Sequence, residues 1–159
     1  MKLYLVQHGE ARSKAEDPER PLNDTGKRHV EAVAEWLGNH QAGAVQIYHS
    51  GKLRALQTAE IFARTLQVPT APEYLSGLDP DADVQPVADW LANRHRDPVM
   101  MIGHLPFLSR LVGKLVVGDA DREVVQFRNA GIVCLENRDG HWSVSWIFLP
   151  EFTALSSQQ

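Results

Sequence analysis

The sequence predicts an α/β fold in three layers: a mainly parallel central sheet, helices on both of its faces, and a C-terminal antiparallel hairpin. Apolar runs at residues 3–6 and 98–102 each lead into a histidine beside a glycine, and segments of helical periodicity lie between the two runs. These features predict parallel strands. Alternating segments at 127–136 and 141–149 flank Arg138-Asp139-Gly140, a turn sequence that predicts the hairpin.

The bulk composition is that of an ordinary globular protein. The chain has 159 residues, 43% of them hydrophobic and 23% charged, which predicts a single domain spanning residues 1–159. Its formal net charge of -4 offers no electrostatic reason to bind nucleic acid or an acidic membrane. Cys134 is the only cysteine, which excludes an intrachain disulfide. Without a secretory leader or an apolar run of about 20 residues, we expect a soluble, cytoplasmic protein.

The first apolar run, residues 3–6, predicts a strand that is buried on both faces. Gln7, His8 and Gly9 follow it directly. Polar groups just past the carboxyl end of a buried parallel strand lie in the crevice where α/β proteins bind ligands. A histidine there can act as a nucleophile or general base near neutral pH, since its reference pKa is about 6.5. On these residues alone, a histidine in an ordinary loop is an equal alternative.

Residues 10–23 are polar and irregular, and we expect them to form a loop over the mouth of the site. Pro21 should restrict Arg20 to an extended backbone and so help to hold one cation in place. A solvated surface arginine is the alternative.

A helix should follow this loop, capped by Asn23 or Thr25 and ended by Gly38. His29 and His40 fall outside its apolar stripe, and we expect both to be exposed. The stripe consists of Val30, Val33, Ala34 and Leu37.

Residues 44–48 predict a second strand, followed by a turn at Ser50-Gly51 and then a helix. Arg54 would lie in the first turn of that helix, where the helix dipole disfavours a cation. A bound phosphate at the helix N-terminus would explain it. The helix should bury Leu53, Leu56 or Gln57, Ala59, Ile61, Phe62 and Leu66.

Residues 69–74 contain two prolines and predict a short edge strand. The acidic loop at 76–83 carries three aspartates that could cap the next helix, bind a cation or donate a proton, and capping is the simplest of these roles. The next helix tolerates Pro86 in its first turn. Its apolar residues are Val84, Val87, Trp90 and Leu91, and the aspartates are Asp79, Asp81 and Asp83.

The run at 98–102 ends in Gly103-His104, which repeats the opening pattern, and a helix should start at Leu105-Pro106. If both strands are parallel and central, His8 and His104 meet in one crevice. The apolar stripe of the new helix consists of Leu108, Leu111, Val112 and Leu115. Cys134, in the first hairpin strand, should be an inert core residue.

The candidate site therefore gathers His8, His104, Arg20, Arg54 and Gln7. Two guanidiniums beside two imidazoles, without a carboxylate, oppose a divalent metal, so we expect neither a metal nor another cofactor. The same groups suit phosphoryl transfer. One imidazole would attack phosphorus while the arginines and the second imidazole neutralise the equatorial oxygens.

Four segments in this order resemble the histidine phosphatase superfamily, which has the phosphoglycerate mutase-like fold, and within it the short SixA-type phosphohistidine phosphatases. They are Val6-Gln7-His8-Gly9-Glu10-Ala11, Arg20-Pro21-Leu22 with Thr25-Gly26, residues 50–54 with Gln57-Thr58, and Ile102-Gly103-His104-Leu105-Pro106.

The resemblance implies that His8 is the nucleophile, that Arg54 and His104 bind the phosphoryl group, and that Arg20 completes the pocket. It implies two displacements, with transfer to His8 followed by hydrolysis, and no metal. The substrate would be a phosphohistidine-bearing protein, such as a phosphotransfer or phosphocarrier domain, and inorganic phosphate would be released.

One departure from the family is Gln7, where the family has arginine. Glutamine brings no charge, and losing a transition-state donor can cost about a hundredfold in rate. Either activity is low, or Arg12, Lys14 or Lys52 supplies the missing charge. Alternatively, the chain is a catalytically weak module that binds phosphate or a phosphoprotein.

The second departure concerns a general acid. Larger family members carry a glutamate before the fourth strand, whereas residues 75–83 offer only aspartates. An alkoxide leaving group needs a proton more than an imidazole does, so this absence favours P–N over P–O substrates. The short loops favour an open site that admits a protein. A small-molecule phosphomonoesterase and a generic α/β domain with structural histidines are the remaining alternatives.

Overall fold

The computed structural model of the protein describes residues 1–40, 45–94 and 98–156. A six-stranded sheet in the order β3-β2-β4-β1-β5-β6 forms its centre. The strands are β1 Lys2–Gln7, β2 Gln46–His49, β3 Glu73–Tyr74, β4 Val99–Gly103, β5 Ile132–Arg138 and β6 His141–Phe148. The helices are α1 Asp24–His40, α2 Leu53–Thr65, α3 Gln85–Ala92, α4 Phe107–Val117 and the short α5 Thr153–Ser156, which follows a 3-10 turn at Pro150–Phe152.

The predicted fold class is confirmed. Strands β3, β2, β4 and β1 are parallel, whereas β5 runs antiparallel to β1 and pairs with β6 in a hairpin. Asp139 and Gly140 have φ angles of 54° and 85° at the hairpin turn. Left-handed conformations at both central positions match the right-handed twist of the flanking strands, which is why Asp-Gly predicts this turn.

Successive side chains of β1 enter different cores, because side chains alternate across a strand. Tyr4 and Val6 pack with α1 and α2 on one face of the sheet, and Leu3 and Leu5 pack with α3 and α4 on the other. The two cores make β1 the central strand that the apolar run predicts, and all five residues of β4 are buried as well. No helix in the described ranges combines the length and the apolarity that a membrane span requires.

Several element boundaries differ from those expected. α1 continues past Gly38 to His40, because a glycine inside a helix weakens it without ending it. The first hairpin strand begins at Ile132 instead of residue 127, since Ala130 adopts a φ of 65° that interrupts an extended backbone. Ala44, the first residue of the expected second strand, lies outside the described residues.

The remaining helix expectations hold in part. Asn23 caps α1, with its Oδ1 accepting a hydrogen bond from the Gly26 N–H at 2.7 Å. The predicted α1 stripe is buried, and His29 and His40 are exposed. In α2, Ala59, Ile61 and Phe62 are buried as expected. The expected burial of Leu53, Leu56, Gln57 and Leu66 is only partial.

Candidate active site

The two strand-terminal histidines lie side by side. β1 and β4 are neighbouring parallel strands, and Gln7 is in register with Gly103, so the residues that follow them leave the sheet at the same edge. The ring centroids of His8 and His104 are 5.0 Å apart, with the ring planes inclined at 51°. Only 9% of His8 and 2% of His104 is exposed. The topology therefore brings together two imidazoles that are far apart in the chain.

Hydrogen bonds to both nitrogens orient the His8 ring. Its Nδ1 lies 2.7 Å from the carbonyl oxygen of Gly9, which can only accept, so Nδ1 carries the proton. The lone pair is then on Nε2, where it accepts a hydrogen bond from Nε of Arg54 at 3.3 Å. In a neutral imidazole the unprotonated nitrogen is the nucleophilic atom. Nε2 of His8 therefore faces the arginine with its lone pair available.

Both rings are held neutral at pH 7. Burial lowers the pKa of His8 to about 4, and the charges of Arg54 and Arg20 act in the same direction against an opposing hydrogen bond to Gly9. Burial likewise lowers the pKa of His104 to about 3, assisted by His8, Arg54, Lys52 and Arg20. A phosphoryl dianion would offset these cationic charges and favour protonation of His104, because an opposite charge nearby stabilises the charged form.

Ser50 is the hydrogen-bond partner of His104. Its Oγ lies 2.6 Å from Nε2 of His104, and both residues are buried. The Nδ1 atom of His104 is also buried and has no hydrogen-bond partner among the residues that the structure describes. Since a buried N–H without an acceptor is costlier than a lone pair without a donor, the proton lies on Nε2, which donates to Ser50.

A second buried hydroxyl joins the loop after β1 to α2. Thr58 accepts a hydrogen bond from the Gly9 N–H at 3.0 Å and donates one to the Arg54 carbonyl at 2.7 Å. Thr58 is fully buried. A Cβ atom on Gly9 would lie 2.8 Å from Cγ2 of Val30 in α1, so only glycine lets the loop pack this closely. The spacing between His8 and Arg54 is therefore set by buried contacts.

Arg20 reaches the same region, but not in the expected way. Its φ is 52°, in the left-handed region, so the prediction that Pro21 holds it extended is wrong. The loop is instead held by an antiparallel bridge between Ala11 and Leu22, and Nε of Arg20 donates to the Arg12 carbonyl at 3.1 Å. Burial is the main cause that lowers the pKa values of His8 and Arg54, and the charge of Arg20 lowers both further, so Arg20 acts electrostatically on the site.

Gln7 ends β1 with its Oε1 atom buried and, within residues 1–40, 45–94 and 98–156, without a hydrogen-bond partner. Of the cations expected to replace the missing charge, Lys52 acts on the pKa of His104. Its ammonium also forms a partly exposed ion pair with Asp79 at 3.9 Å. Arg12 and Lys14 are exposed, and the contact that Arg12 makes to the site region is through its backbone carbonyl.

Asp83 of the acidic loop supports local structure. Its carboxylate accepts a hydrogen bond from the N–H of Gln85, the first residue of α3, at 3.0 Å, although the N-cap position itself is Val84 and has no side-chain cap hydrogen bond. Of the described His, Cys, Asp and Glu residues, no group of three is arranged to hold a metal ion.

Sequence reasoning assigned no contact to three residues that shape the site. Ser50 and Thr58 lie within the quoted motifs, but the spacing does not reveal their partners. Asn129 has no local signal at all. Its amide donates to the His8 carbonyl at 2.9 Å across a separation of 121 residues, so only the folded chain could identify it.

Residues 3–79 match the family model of the histidine phosphatase superfamily (branch 1). The chain is 30% identical over 151 residues to the phosphohistidine phosphatase SixA of Escherichia coli (strain K12), covering 91% of this chain and 94% of that protein.

Solved structures are also similar to this chain over most of its length. The structure of the protein histidine phosphatase SixA complexed with tungstate superposes with a TM-score of 0.83 at 29% identity, covering 94% of this chain and 97% of that chain. A phosphoserine phosphatase from Entamoeba histolytica, solved with 3-phosphoglyceric acid, has a TM-score of 0.72 at 16% identity and covers 92% of this chain and 95% of its own, which is a likeness of fold.

Proposed function

We propose that this chain, which belongs to the histidine phosphatase superfamily, is a phosphohistidine phosphatase that carries the phosphoryl group transiently on His8. The observation that carries the proposal is the unprotonated Nε2 of His8, which faces the guanidinium of Arg54 beside a second buried imidazole. A neutral nucleophile surrounded by cations suits attack on a phosphoryl dianion. The tungstate in a relative's structure supports the same pocket, because tungstate is a tetrahedral oxyanion.

In the first displacement, Nε2 of His8 attacks phosphorus and the P–N bond to the substrate imidazole breaks. The bonding electron pair stays on the departing nitrogen, which takes a proton from solvent. Arg54 and Arg20 bind the phosphoryl oxygens, and the dianion favours the protonated, cationic form of His104 beside them. Arg54 must turn its Nε–H from His8 to an oxygen, which is favourable because a charge-assisted hydrogen bond is roughly twice as strong as a neutral one.

In the second displacement, water attacks the phosphoryl group on His8. The bond between phosphorus and Nε2 breaks, its electron pair returns to the imidazole, and inorganic phosphate leaves with the oxygen and protons of the water. The ring remains oriented throughout, since Nδ1 keeps its hydrogen bond to the Gly9 carbonyl. The net reaction is hydrolysis of one P–N bond, with His8 regenerated.

The preference for a P–N bond rests on the leaving group. Residues 75–83 contain aspartates but no glutamate, and Asp83 and Asp79 are engaged with the start of α3 and with Lys52. An imidazole can leave as a neutral base near pH 7 with little help from a general acid, whereas an alkoxide cannot. The partner is then a protein that carries phosphohistidine, of the phosphotransfer or phosphocarrier kind.

The test is to trap the intermediate. Wild-type protein mixed with a ³²P-phosphohistidine protein and quenched in alkali should carry an acid-labile label, and His8→Asn should carry none. His29→Asn, in an exposed position on α1, is the matched control and should be labelled as wild type. An unlabelled wild-type protein, or steady-state preference for sugar phosphates over the phosphohistidine protein, would contradict the proposal.

A further inference from the structure

Two large apolar side chains are exposed at the edge of the sheet that carries the histidines. Tyr74, the last residue of β3, is 62% exposed, and Leu105, which directly follows His104, is 40% exposed. Single exposed apolar residues are common on protein surfaces and need no explanation. This pair does need an explanation, because both side chains lie next to the candidate site.

Both side chains lie one residue away from the hydrogen bond between Ser50 and His104. Leu105 is joined to His104 through the backbone. The Tyr74 ring packs on Gly51, because a Cβ atom built on that glycine would lie 3.0 Å from two ring carbons. Gly51 in turn follows Ser50, whose Oγ lies 2.6 Å from Nε2 of His104. Tyr74 and Leu105 therefore flank one polar centre from two different elements.

Leu105, Ser109 and Glu123 line both of two open depressions of about 300 and 310 Å³. Leu105 is thus an exposed apolar side chain shared by two depressions and accessible to a surface laid across them.

The distance between Tyr74 and Leu105 means that only a large ligand can contact both side chains. Tyr74 is on β3 and Leu105 follows β4, and β2 lies between these strands. Strands are spaced about 4.8 Å apart, so roughly 10 Å separates the two elements. A ligand that places its phosphorus at His8 and also contacts both apolar side chains must extend well beyond a phosphohistidine residue. The site cations recognise the phosphoryl group but not its carrier.

We propose that Tyr74 and Leu105 form a docking rim that contacts apolar side chains around the phosphohistidine of a protein substrate. This inference rests on the proposed function and adds to it the surface that selects the carrier. The rim contributes to binding of the macromolecule, whereas the chemistry at His8 needs only the phosphoryl group. Substrates that share the same P–N bond but differ in size should therefore separate the two contributions.

The experiment compares kcat/KM for two substrates: a small protein phosphorylated on histidine with phosphoramidate, and free phosphohistidine. Tyr74→Ala and Leu105→Ala should each lower the value for the phosphoprotein about tenfold, the effect of losing one buried apolar side chain from an interface. Both variants should cleave free phosphohistidine at the wild-type rate, within about twofold, which also shows that they fold. Leu105→Met should retain most of the phosphoprotein activity because it keeps the apolar volume.

Val117→Ala is the matched control. Val117 is 50% exposed and ends α4, an eleven-residue helix that starts just after His104, so it lies about 16 Å from the site. This substitution should leave kcat/KM unchanged for both substrates. Equal losses on both substrates, or no loss on the phosphoprotein, would overturn the docking rim while leaving the proposed function intact. Wild-type protein that cleaves neither substrate would overturn the proposed function and the rim together.

Discussion

At the scale of single residues, Gln7 stands where the resemblance to the family predicts an arginine. Its Oε1 atom is buried at the end of the strand that leads into His8, with no hydrogen-bond partner in the described part of the chain. A guanidinium here would donate charge-assisted hydrogen bonds to the phosphoryl oxygens, and a single donor of this kind is worth about a hundredfold in rate.

Gln7→Arg should therefore raise kcat on a phosphohistidine substrate by roughly tenfold to a hundredfold. Gln7→Glu, of the same size, should lower it, because a negative charge repels the phosphoryl dianion. Steady-state kinetics measures both. An arginine variant with unchanged kcat would indicate that Lys52 or another cation already supplies the charge.

We predict that Ser50 is a positioning residue that acts through its hydrogen bond with His104. Ser50→Ala leaves both nitrogens of a buried imidazole without a protein partner, which costs about 1–3 kcal/mol if the ring stays in place. We expect kcat to fall about tenfold or more while KM changes little, and Ser50→Thr to restore most of the loss. In ¹⁵N NMR spectra, the Nε2 resonance of His104 should shift in the alanine variant. A change confined to KM would argue against this role.

At the scale of elements, the loop after β1 depends on how closely α1 approaches it. A Cβ atom on Gly26, in the first turn of α1, would lie 2.1 Å from the carbonyl oxygen of Glu10. The clash is with backbone, so either α1 or the loop next to His8 must move. Gly38, near the other end of α1, is different because the nearest atom, in Leu66, would be 3.4 Å away.

Gly26→Ala should lower the free energy of unfolding by about 1–3 kcal/mol and reduce kcat as well. Gly38→Ala should raise the free energy of unfolding by about 0.5–1 kcal/mol, because alanine has the higher helix propensity, and leave kcat unchanged. Urea denaturation curves of the two variants measure the difference. Stabilisation of both variants would show that helix propensity, not the close approach, dominates at both glycines, and destabilisation of both would contradict the expectation for Gly38.

At the scale of the whole molecule, the buried histidines couple stability to pH. Burial lowers the pKa of His8 to about 4 and of His104 to about 3, and it also lowers the pKa of His49. The unfolded chain, with histidine pKa values near 6.5, binds more protons than the folded chain throughout this interval. The stability that the neutral rings provide is therefore complete above about pH 6.5 and is lost as the pH falls toward the folded-state values.

The free energy of unfolding should fall from pH 7 to pH 5 by roughly 2 kcal/mol for each of His8 and His104. Replacing either by glutamine should reduce the pH dependence of the free energy of unfolding by about that amount. Urea unfolding at the two pH values provides the measurement. An equally steep loss in the glutamine variants would assign the pH dependence to other groups.

Adding inorganic phosphate should stabilise wild type through binding to the folded state.

The sequence by itself determined the order of strands and helices along the chain, the C-terminal hairpin, and the position of two histidines directly after strands. These features depend on local patterns: apolar runs buried on both faces, helical periodicity, and an Asp-Gly pair that favours a left-handed turn. The inclusion of Arg54 in the candidate site was also predictable from the sequence, because a cation in the first turn of a helix opposes the helix dipole unless an anion offsets it. It stays a prediction that residues 1–159 form one domain. The site roles also stay predictions: His8 and His104 as catalytic residues, and Gln7, Arg20 and Arg54 as phosphate-binding residues.

Tertiary structure alone decided which atoms meet. The partners of His8 lie 46 residues away at Arg54 and 121 residues away at Asn129, and no local pattern encodes contacts across such separations. Tertiary structure also brings Ser50 within hydrogen-bond distance of His104. It gives Arg20 a positive φ, against the extended conformation that a residue before proline prefers. Local conformational preferences are weak compared with the packing and hydrogen bonds of a folded core, so the core sets the final geometry of the site.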